Sequence, residues 1–141
     1  MADDERRIKN LKEAMKKERG YLPAAWEYAA EKDVGFLEAY NSLYEQGLGA
    51  GKALPIKTRE LIAIALLAYR GSEGGVYEHM RRALRHGATK QELLEGIETA
   101  IIPGGAPTFS TGLRALMKIE EEQKSESPRP KVRASKTLKR S

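Results

Sequence analysis

The sequence contains no cysteine and only two histidines, His79 and His86. Both shortages limit the reactions that the protein can catalyse and the metals that it can bind. Without cysteine the chain forms no disulfide bond and offers no thiolate nucleophile or thiolate metal ligand. Two histidines are too few for a histidine-rich metal site, although either could act as an acid or a base. We therefore expect no thiol redox chemistry, no bound metal and no cofactor that depends on one.

Aromatic residues are also scarce, at 6% of the 141 residues, and the longest apolar run covers only residues 61–69. A composition with more helix formers than strand formers disfavours an all-β fold. A membrane-spanning helix needs about 20 apolar residues, which this run does not approach. The opening MADDERR lacks the basic and apolar segments of a secretory signal. We expect one all-α domain, located in the cytoplasm and without a membrane partner.

The net charge of +5 is concentrated at the end of the chain. Residues 124–141 contain seven basic residues against Glu126 alone, a net charge of +6, which leaves −1 for residues 1–123. Because the tail is almost free of apolar residues, we expect it to be disordered. It would attract nucleic acid weakly and without sequence preference, but it has no aromatic residue to stack on bases, and basic tails often serve solubility alone. The prediction is a helical domain over residues 1–123 and a basic tail over 124–141.

Apolar residues recur at helical spacing through residues 1–123 and predict a bundle of six to seven helices. Asp33 is a predicted N-cap, Gly87 a left-handed C-cap, and Thr89 with Glu92 a capping box. The segment 103–107 is rich in proline and glycine and predicts a turn before the last helix.

The helix predicted after Pro55 contains LIAIALLAY, which is apolar on every side. Such a helix must be covered on all its faces. Other subunits of a homo-oligomer would provide that cover, and a central position in a monomeric bundle is the alternative.

Ser72, Glu73, Gly74, Gly75 and His79 lie together where the next helix begins. The glycines leave backbone N–H groups of the first turn open, and a helix N-terminus favours an anion by about 0.3–1 kcal/mol. Gly75 and His79 are four residues apart, so the space above the glycine and the imidazole share one helix face. The pattern predicts a carboxylate-binding pocket with a titratable wall.

Residues 53–118, including the run LPIKTRELIAIALLAYRGSEGGVYEH, resemble the carboxymuconolactone decarboxylase-like superfamily, which includes the alkylhydroperoxidase D (AhpD) proteins. In the redox branch a glutamate is followed, twelve positions later, by C-x-x-C-x-x-x-H. Here Glu60 is that glutamate, Ser72 and Gly75 stand at the two cysteine positions, and His79 is the histidine. The resemblance implies an AhpD-like all-α bundle that forms trimers or hexamers.

The missing sulfur atoms exclude the peroxidase activity of that branch, which requires a reactive thiolate and a second, resolving thiol. The decarboxylase branch lacks the cysteine pair and keeps the histidine, but it often has a carboxylate at the position of Gly75. Glu73 is the nearest substitute, although it points to another side of the helix.

By resemblance, the protein is a lyase that acts on a small carboxylated lactone or ring-cleavage metabolite by acid–base chemistry, without thiols or a cofactor. The alternative is a non-catalytic, oligomeric AhpD-like protein that binds a small ligand. Six residues form the predicted site, two of them catalytic (Glu60, His79) and four binding the substrate carboxylate (Ser72, Glu73, Gly74, Gly75).

Several of these residues also have a purely structural interpretation. Glu60 could pair with Lys57 in the first turn of its helix, and His79 could be a partly buried histidine with satisfied hydrogen bonds. Ser72 is better placed to cap a helix than to act as a nucleophile.

Other features predict structural contacts rather than chemistry. Glu78 and Arg82, four residues apart, predict a surface ion pair. The segment PGGAPT, residues 103–108, either lines the mouth of the pocket or only breaks a helix. Four aromatic residues are predicted to lie in the core or line the pocket: Trp26, Tyr28, Phe36 and Tyr40.

Overall fold

The computed structural model describes residues 1–128, which form seven α-helices and no β-strand. The helices are α1 (Ala2–Arg19), α2 (Ala24–Lys32), α3 (Val34–Leu48), α4 (Ile56–Tyr69), α5 (Glu73–Arg85), α6 (Lys90–Gly104) and α7 (Ala106–Glu126). The all-α prediction is confirmed. None of these helices is both long enough and apolar enough to cross a bilayer. The first residues of the predicted tail, 124–126, belong to α7, and residues 129–141 lie outside the described part of the chain.

The helix ends follow the local signals of the sequence. The side chain of Asp33 accepts a hydrogen bond from the backbone N–H of Phe36 at 3.0 Å, and Thr89 and Glu92 form the predicted capping box. Gly87 has φ +91°, a left-handed conformation that glycine adopts without strain. The predicted turn at 103–107 is shorter than expected, because α6 continues through Pro103 and only Gly105 separates it from α7.

The helices pack around two separate apolar cores. In the N-terminal unit, α1–α3, the core is formed by Leu11, Met15, Ala30 and Leu37. In the C-terminal unit, α4–α7, a larger core includes the fully buried Ile64, Val76, Met80, Leu93 and Ile97. The C-terminal unit therefore has most of the buried apolar surface that stabilises the fold.

Polar contacts join the two units. Arg82 of α5 donates to the carboxylate of Glu18 at 2.6 Å, and Arg85 donates to the carbonyl oxygen of Arg19 at 2.8 Å. Arg59 of α4 donates to the carbonyl oxygen of Gly47 at 2.7 Å. Since the two cores do not merge, a cavity remains between α5 and the N-terminal unit.

One side of α4 is not covered by the residues that the structure describes, 1–128. Ile64 and Ala68 are buried, but Leu66 and Tyr69 are exposed, as is Ile102 of α6. These three residues form what we call the apolar face, which surrounds a hollow of about 660 Å³. Residues 1–128 of a single chain thus leave α4 partly uncovered, and the expectation that other subunits complete its cover stays a prediction.

Candidate functional site

Glu60 and His79 meet where α4 packs against α5. The carboxylate of Glu60 is fully buried, and its Oε2 lies 2.6 Å from Nδ1 of His79. Because a carboxylate only accepts hydrogen bonds, Nδ1 is the donor and Nε2 remains available to accept a proton. No other described residue forms a hydrogen bond with this imidazole. The structure therefore brings together, within one chain, the two residues predicted to be catalytic.

Glu60 also binds Arg82, which the sequence predicted to lie in a surface ion pair and not in the site. Arg82 is 2% exposed and donates to Glu60 Oε1 as well as to Glu18. A buried carboxylate without a cation would be strongly destabilising, so Arg82 makes the position of Glu60 possible. Burial acts to lower the pKa of Arg82, but its hydrogen bond to Glu18 and the nearby charge of Glu60 raise it above its ordinary value. Arg82 is therefore cationic at neutral pH.

Two predicted ion pairs are wrong. Arg82 does not form a surface pair with Glu78, because it lies three residues after His79 on the side of α5 that faces α4. Lys57 does not pair with Glu60 but with Glu92 of α6, at 2.9 Å. The spacing of His79 and Arg82 already predicts that they share one face of α5. That this face packs against Glu60 of α4 is evident only from the tertiary structure.

The cavity beside His79 has a volume of about 390 Å³ and lies between the two units. Glu60 is not part of its wall but lies behind His79 and Arg82. Six lining residues come from the N-terminal unit and its α1–α2 loop: Arg19, Tyr21, Pro23, Trp26, Tyr40 and Tyr44. Five come from α5 and the residue before it: Ser72, Gly75, Glu78, His79 and Arg82.

Aromatic rings form much of the wall on the N-terminal side. The rings of Trp26 and Tyr40 stack with centroids 4.9 Å apart and planes 12° from parallel. These two residues line the cavity, as the sequence predicted, whereas Tyr28 and Phe36 are largely exposed and the prediction for them is wrong.

The predicted carboxylate-binding residues are only partly brought together. Ser72 and Gly75 line the cavity, but Gly74 and Glu73 do not. Glu73 instead forms an exposed ion pair with Arg114 of α7 at 2.8 Å. It is therefore not a substitute for a carboxylate at position 75.

The space above Gly75 is filled, contrary to the prediction. A Cβ atom at this position would lie 2.7 Å from Oγ of Ser72 and 3.1 Å from Cδ2 of Leu67. Ser72 precedes α5 at the N-cap position, but its side chain makes no capping hydrogen bond. Any side chain at position 75 would therefore displace Ser72 or Leu67.

The segment 103–108 does not line this cavity. Pro103 and Gly104 instead border the hollow of the apolar face. Within residues 1–128, no group of three or more histidine, aspartate and glutamate side chains could hold a metal ion.

Comparison with known proteins gives one family model and several similar proteins. A model of the Carboxymuconolactone decarboxylase family matches residues 35–118. An uncharacterized protein of Methanocaldococcus jannaschii is 30% identical over 89 residues, covering 58% of this chain and 86% of that protein. An uncharacterized protein of Cupriavidus necator is 39% identical over 64 residues, covering 45% of this chain and 57% of that protein.

A solved structure shares the fold. The crystal structure of a Burkholderia xenovorans LB400 protein, assigned as a carboxymuconolactone decarboxylase, superposes with a TM-score of 0.73 at 26% sequence identity. The match covers 89% of this chain and 99% of that one. The similarity therefore extends beyond the segment that the family model matches.

Proposed function

The chain belongs to the carboxymuconolactone decarboxylase family, and from this premise we propose that it is a lyase-type enzyme acting on a small carboxylated lactone or ring-cleavage metabolite. The observation that supports the proposal is the His79 imidazole on the wall of a 390 Å³ cavity, held from behind by the buried carboxylate of Glu60. The chemistry is acid–base and uses no thiol.

His79 is the group that would transfer the proton. Loss of CO₂ from the substrate breaks a carbon–carbon bond and leaves the electron pair on a ring carbon conjugated with the lactone carbonyl. A proton from Nε2 of His79 to that carbon completes the replacement of carboxylate by hydrogen, and His79 then regains a proton from water. General acid–base assistance of this kind contributes about 10²- to 10⁴-fold in rate.

Glu60 has a supporting role in this scheme. Because it is fully buried and does not line the cavity, it acts through His79 rather than on the substrate. Its carboxylate fixes the ring orientation and keeps the proton on Nδ1, and it stabilises the imidazolium form that donates the proton. We therefore assign Glu60 as a positioning residue instead of the catalytic residue that the sequence predicted.

A homo-oligomer is part of the same proposal, and the resemblance implies a trimer or a hexamer. The apolar face supports this, because Leu66, Tyr69 and Ile102 are 60%, 67% and 85% exposed in the single chain. Contiguous exposed apolar surface of this kind marks protein–protein contacts.

The test is CO₂ release from a panel of carboxylated lactones, with γ-carboxymuconolactone among them. We expect His79→Gln to lower kcat/KM by about 10²- to 10⁴-fold. His86→Gln, at the other and exposed histidine, is the matched control and should leave kcat/KM unchanged. Glu60→Gln should lower kcat more than it raises KM, because it removes the carboxylate that orients His79 and does not touch the substrate.

Full turnover by the His79→Gln variant would contradict the proposed role of this residue. Tight binding of carboxylates without turnover of any of them would favour the alternative, a small-ligand-binding protein that keeps the family fold.

A further inference from the structure

We propose that the Arg19 end of the cavity is a subsite for the carboxylate of a flat, unsaturated ring, which lies against the side chains of Trp26 and Tyr40. The inference rests on the proposed function in taking this cavity as the substrate site. It concerns binding and specificity, so it can be tested separately from turnover.

Arg19 is the cation of the cavity whose charge is not matched by a carboxylate. Its guanidinium lies 4.0 Å from the centre of the Tyr44 ring and donates to Oδ1 of Asn41 at 3.2 Å. Its Nε is buried without a hydrogen-bond partner, as is Nε of Arg82, but the guanidinium of Arg19 forms no salt bridge with any carboxylate of residues 1–128. Arg82, by contrast, is paired with both Glu60 and Glu18. A planar guanidinium with free donors is suited to hold a carboxylate.

The ring surface next to Arg19 favours a flat ligand. Trp26 and Tyr40 stack on each other, and both contribute to the cavity wall. Aromatic side chains prefer offset stacking or edge-to-face contact with another unsaturated ring. The volume of about 390 Å³ is near the lower end of small-molecule sites, so it fits a single substituted ring.

Glu78 restricts where the carboxylate can lie. It is the one carboxylate among the residues that line the cavity, and it lies close to Tyr21. Burial, and after it the charge of Glu78, raises the pKa of Tyr21, while Arg19 acts in the opposite direction. Since Glu78 repels an anion and Arg19 attracts one, we expect the ligand carboxylate to lie against Arg19 rather than against Glu78. Burial also raises the pKa of Tyr44, so its hydroxyl stays protonated and can donate to an anion there.

The subsite draws in part on a segment of the chain that the family model does not match. Arg19 and Trp26 precede the matched segment 35–118, whereas Tyr40, Tyr44 and His79 lie within it. In this protein the proton-transfer group therefore belongs to the matched segment, and ligand selection is shared between that segment and α1 and α2, which precede it.

Trp26 is the single tryptophan of the chain, so its fluorescence reports directly on this site. The probes are benzoate, its uncharged near-isostere benzamide, and cyclohexanecarboxylate, which has the charge but not the flat ring. We expect benzoate to bind most tightly of the three, with calorimetry as a second readout. Arg19→Gln should weaken benzoate binding about 10- to 100-fold and leave benzamide binding unchanged, which also shows that the cavity is still folded. The matched control Glu78→Gln should retain benzoate binding or strengthen it.

Equal affinities for benzoate and benzamide, no measurable benzoate binding, or equal losses for both probes in Arg19→Gln would each overturn the inference. Failure of the proposed function gives a different pattern: Arg19-dependent benzoate binding that survives His79→Gln, together with no turnover of any lactone. Turnover whose KM is unchanged by Arg19→Gln would overturn the subsite alone.

Discussion

At the scale of single residues, Arg82 has the largest structural effect in the site. It supplies the positive charge that the buried Glu60 requires, and it also joins α5 to Glu18 of α1. Removing one partner of a buried ion pair is strongly destabilising, because it leaves the other charge buried alone. Arg82 therefore stabilises the fold and also forms part of the site.

We expect Arg82→Met to lower the free energy of unfolding by about 3–5 kcal/mol, since it leaves the Glu60 carboxylate buried without its strongest partner. Urea unfolding followed by circular dichroism measures this. Arg81→Met, at the neighbouring exposed arginine, should stay within about 0.5 kcal/mol of the native protein.

Adding Glu60→Gln to Arg82→Met should recover part of the lost stability, because no unpaired charge then remains in the interior. If the double variant instead loses as much stability as Arg82→Met and Glu60→Gln lose together, the unpaired buried charge does not explain the effect of Arg82→Met.

A pair of adjacent glycines gives a second prediction at this scale. Gly74→Ala should raise the stability by up to about 1 kcal/mol, because alanine favours the helix and its Cβ meets nothing within 4 Å. Gly75→Ala should be less stable than Gly74→Ala by about 1–3 kcal/mol, because its Cβ would press on Ser72 and Leu67.

The same unfolding measurement compares the two glycine variants. Ser72→Ala in the Gly75→Ala background removes Oγ of Ser72, the atom closest to the new Cβ. It should restore part of the stability that Gly75→Ala lacks relative to Gly74→Ala. Equal stabilities of the two single variants would be inconsistent with a filled space above Gly75.

At the scale of elements, the start of α6 is tied to α4 by one side chain. Glu92 accepts the backbone N–H of Thr89 at 2.8 Å and the ammonium of Lys57 at 2.9 Å. The bond from Thr89 and, with a smaller effect, the bond from Lys57 hold the pKa of Glu92 below its ordinary value. A capping residue thus also fixes the packing of two helices.

The stability that Glu92 contributes should depend on pH. A carboxylate whose pKa is lowered by folding contributes fully above its unfolded pKa, and the contribution is lost as the pH falls through the folded pKa. Glu92→Gln should therefore be less stable than the native protein at pH 7, with a difference that shrinks below about pH 5.

Thermal unfolding between pH 7 and pH 3 tests this expectation. Glu98→Gln, an exposed carboxylate on the same helix, provides the control and should differ little from the native protein at any of these pH values. A Glu92→Gln difference that stays constant with pH would contradict the assigned bonds.

At the scale of the whole molecule, the main question is how the apolar surface outside the two cores is buried. The C-terminal unit has the larger core, and the apolar face of α4 and α6 remains open to solvent on its outer side. The cavity and the hollow of the apolar face share no lining residue, so oligomerisation through the apolar face would not cover the residues that line the cavity.

If the protein forms the proposed oligomer, we expect Leu66→Glu to convert it to a monomer, because association would bury a carboxylate without a partner. Size-exclusion chromatography with light scattering measures the mass. Leu43→Glu makes the same change at a residue of α3 that is 68% exposed and lies outside the apolar face, and it should keep the native mass. A native protein that is monomeric, or a Leu66→Glu variant of unchanged mass, would refute the proposed interface.

Much of this protein could be predicted from short segments of its sequence. Asp33, Gly87 and the Thr89–Glu92 box are local signals, and the structure confirms them because capping depends on neighbouring residues alone. The absence of cysteine excludes thiol chemistry without reference to any fold. The spacing of Glu60 and His79, with the resemblance that it supports, led to the residues that the structure places in contact.

Tertiary structure alone decided which charges are buried together and what surrounds the cavity. The spacing of Glu78 and Arg82 allows a surface pair, but the packing of α5 against α4 and α1 directs Arg82 to Glu60 and Glu18 instead. Arg19 and Trp26 are far from His79 in sequence, and only the arrangement of the N-terminal unit over α5 brings them to the same cavity. The physical reason is that helix periodicity and capping are set within a few residues, whereas the burial of a charge or a ring depends on the element that packs against it.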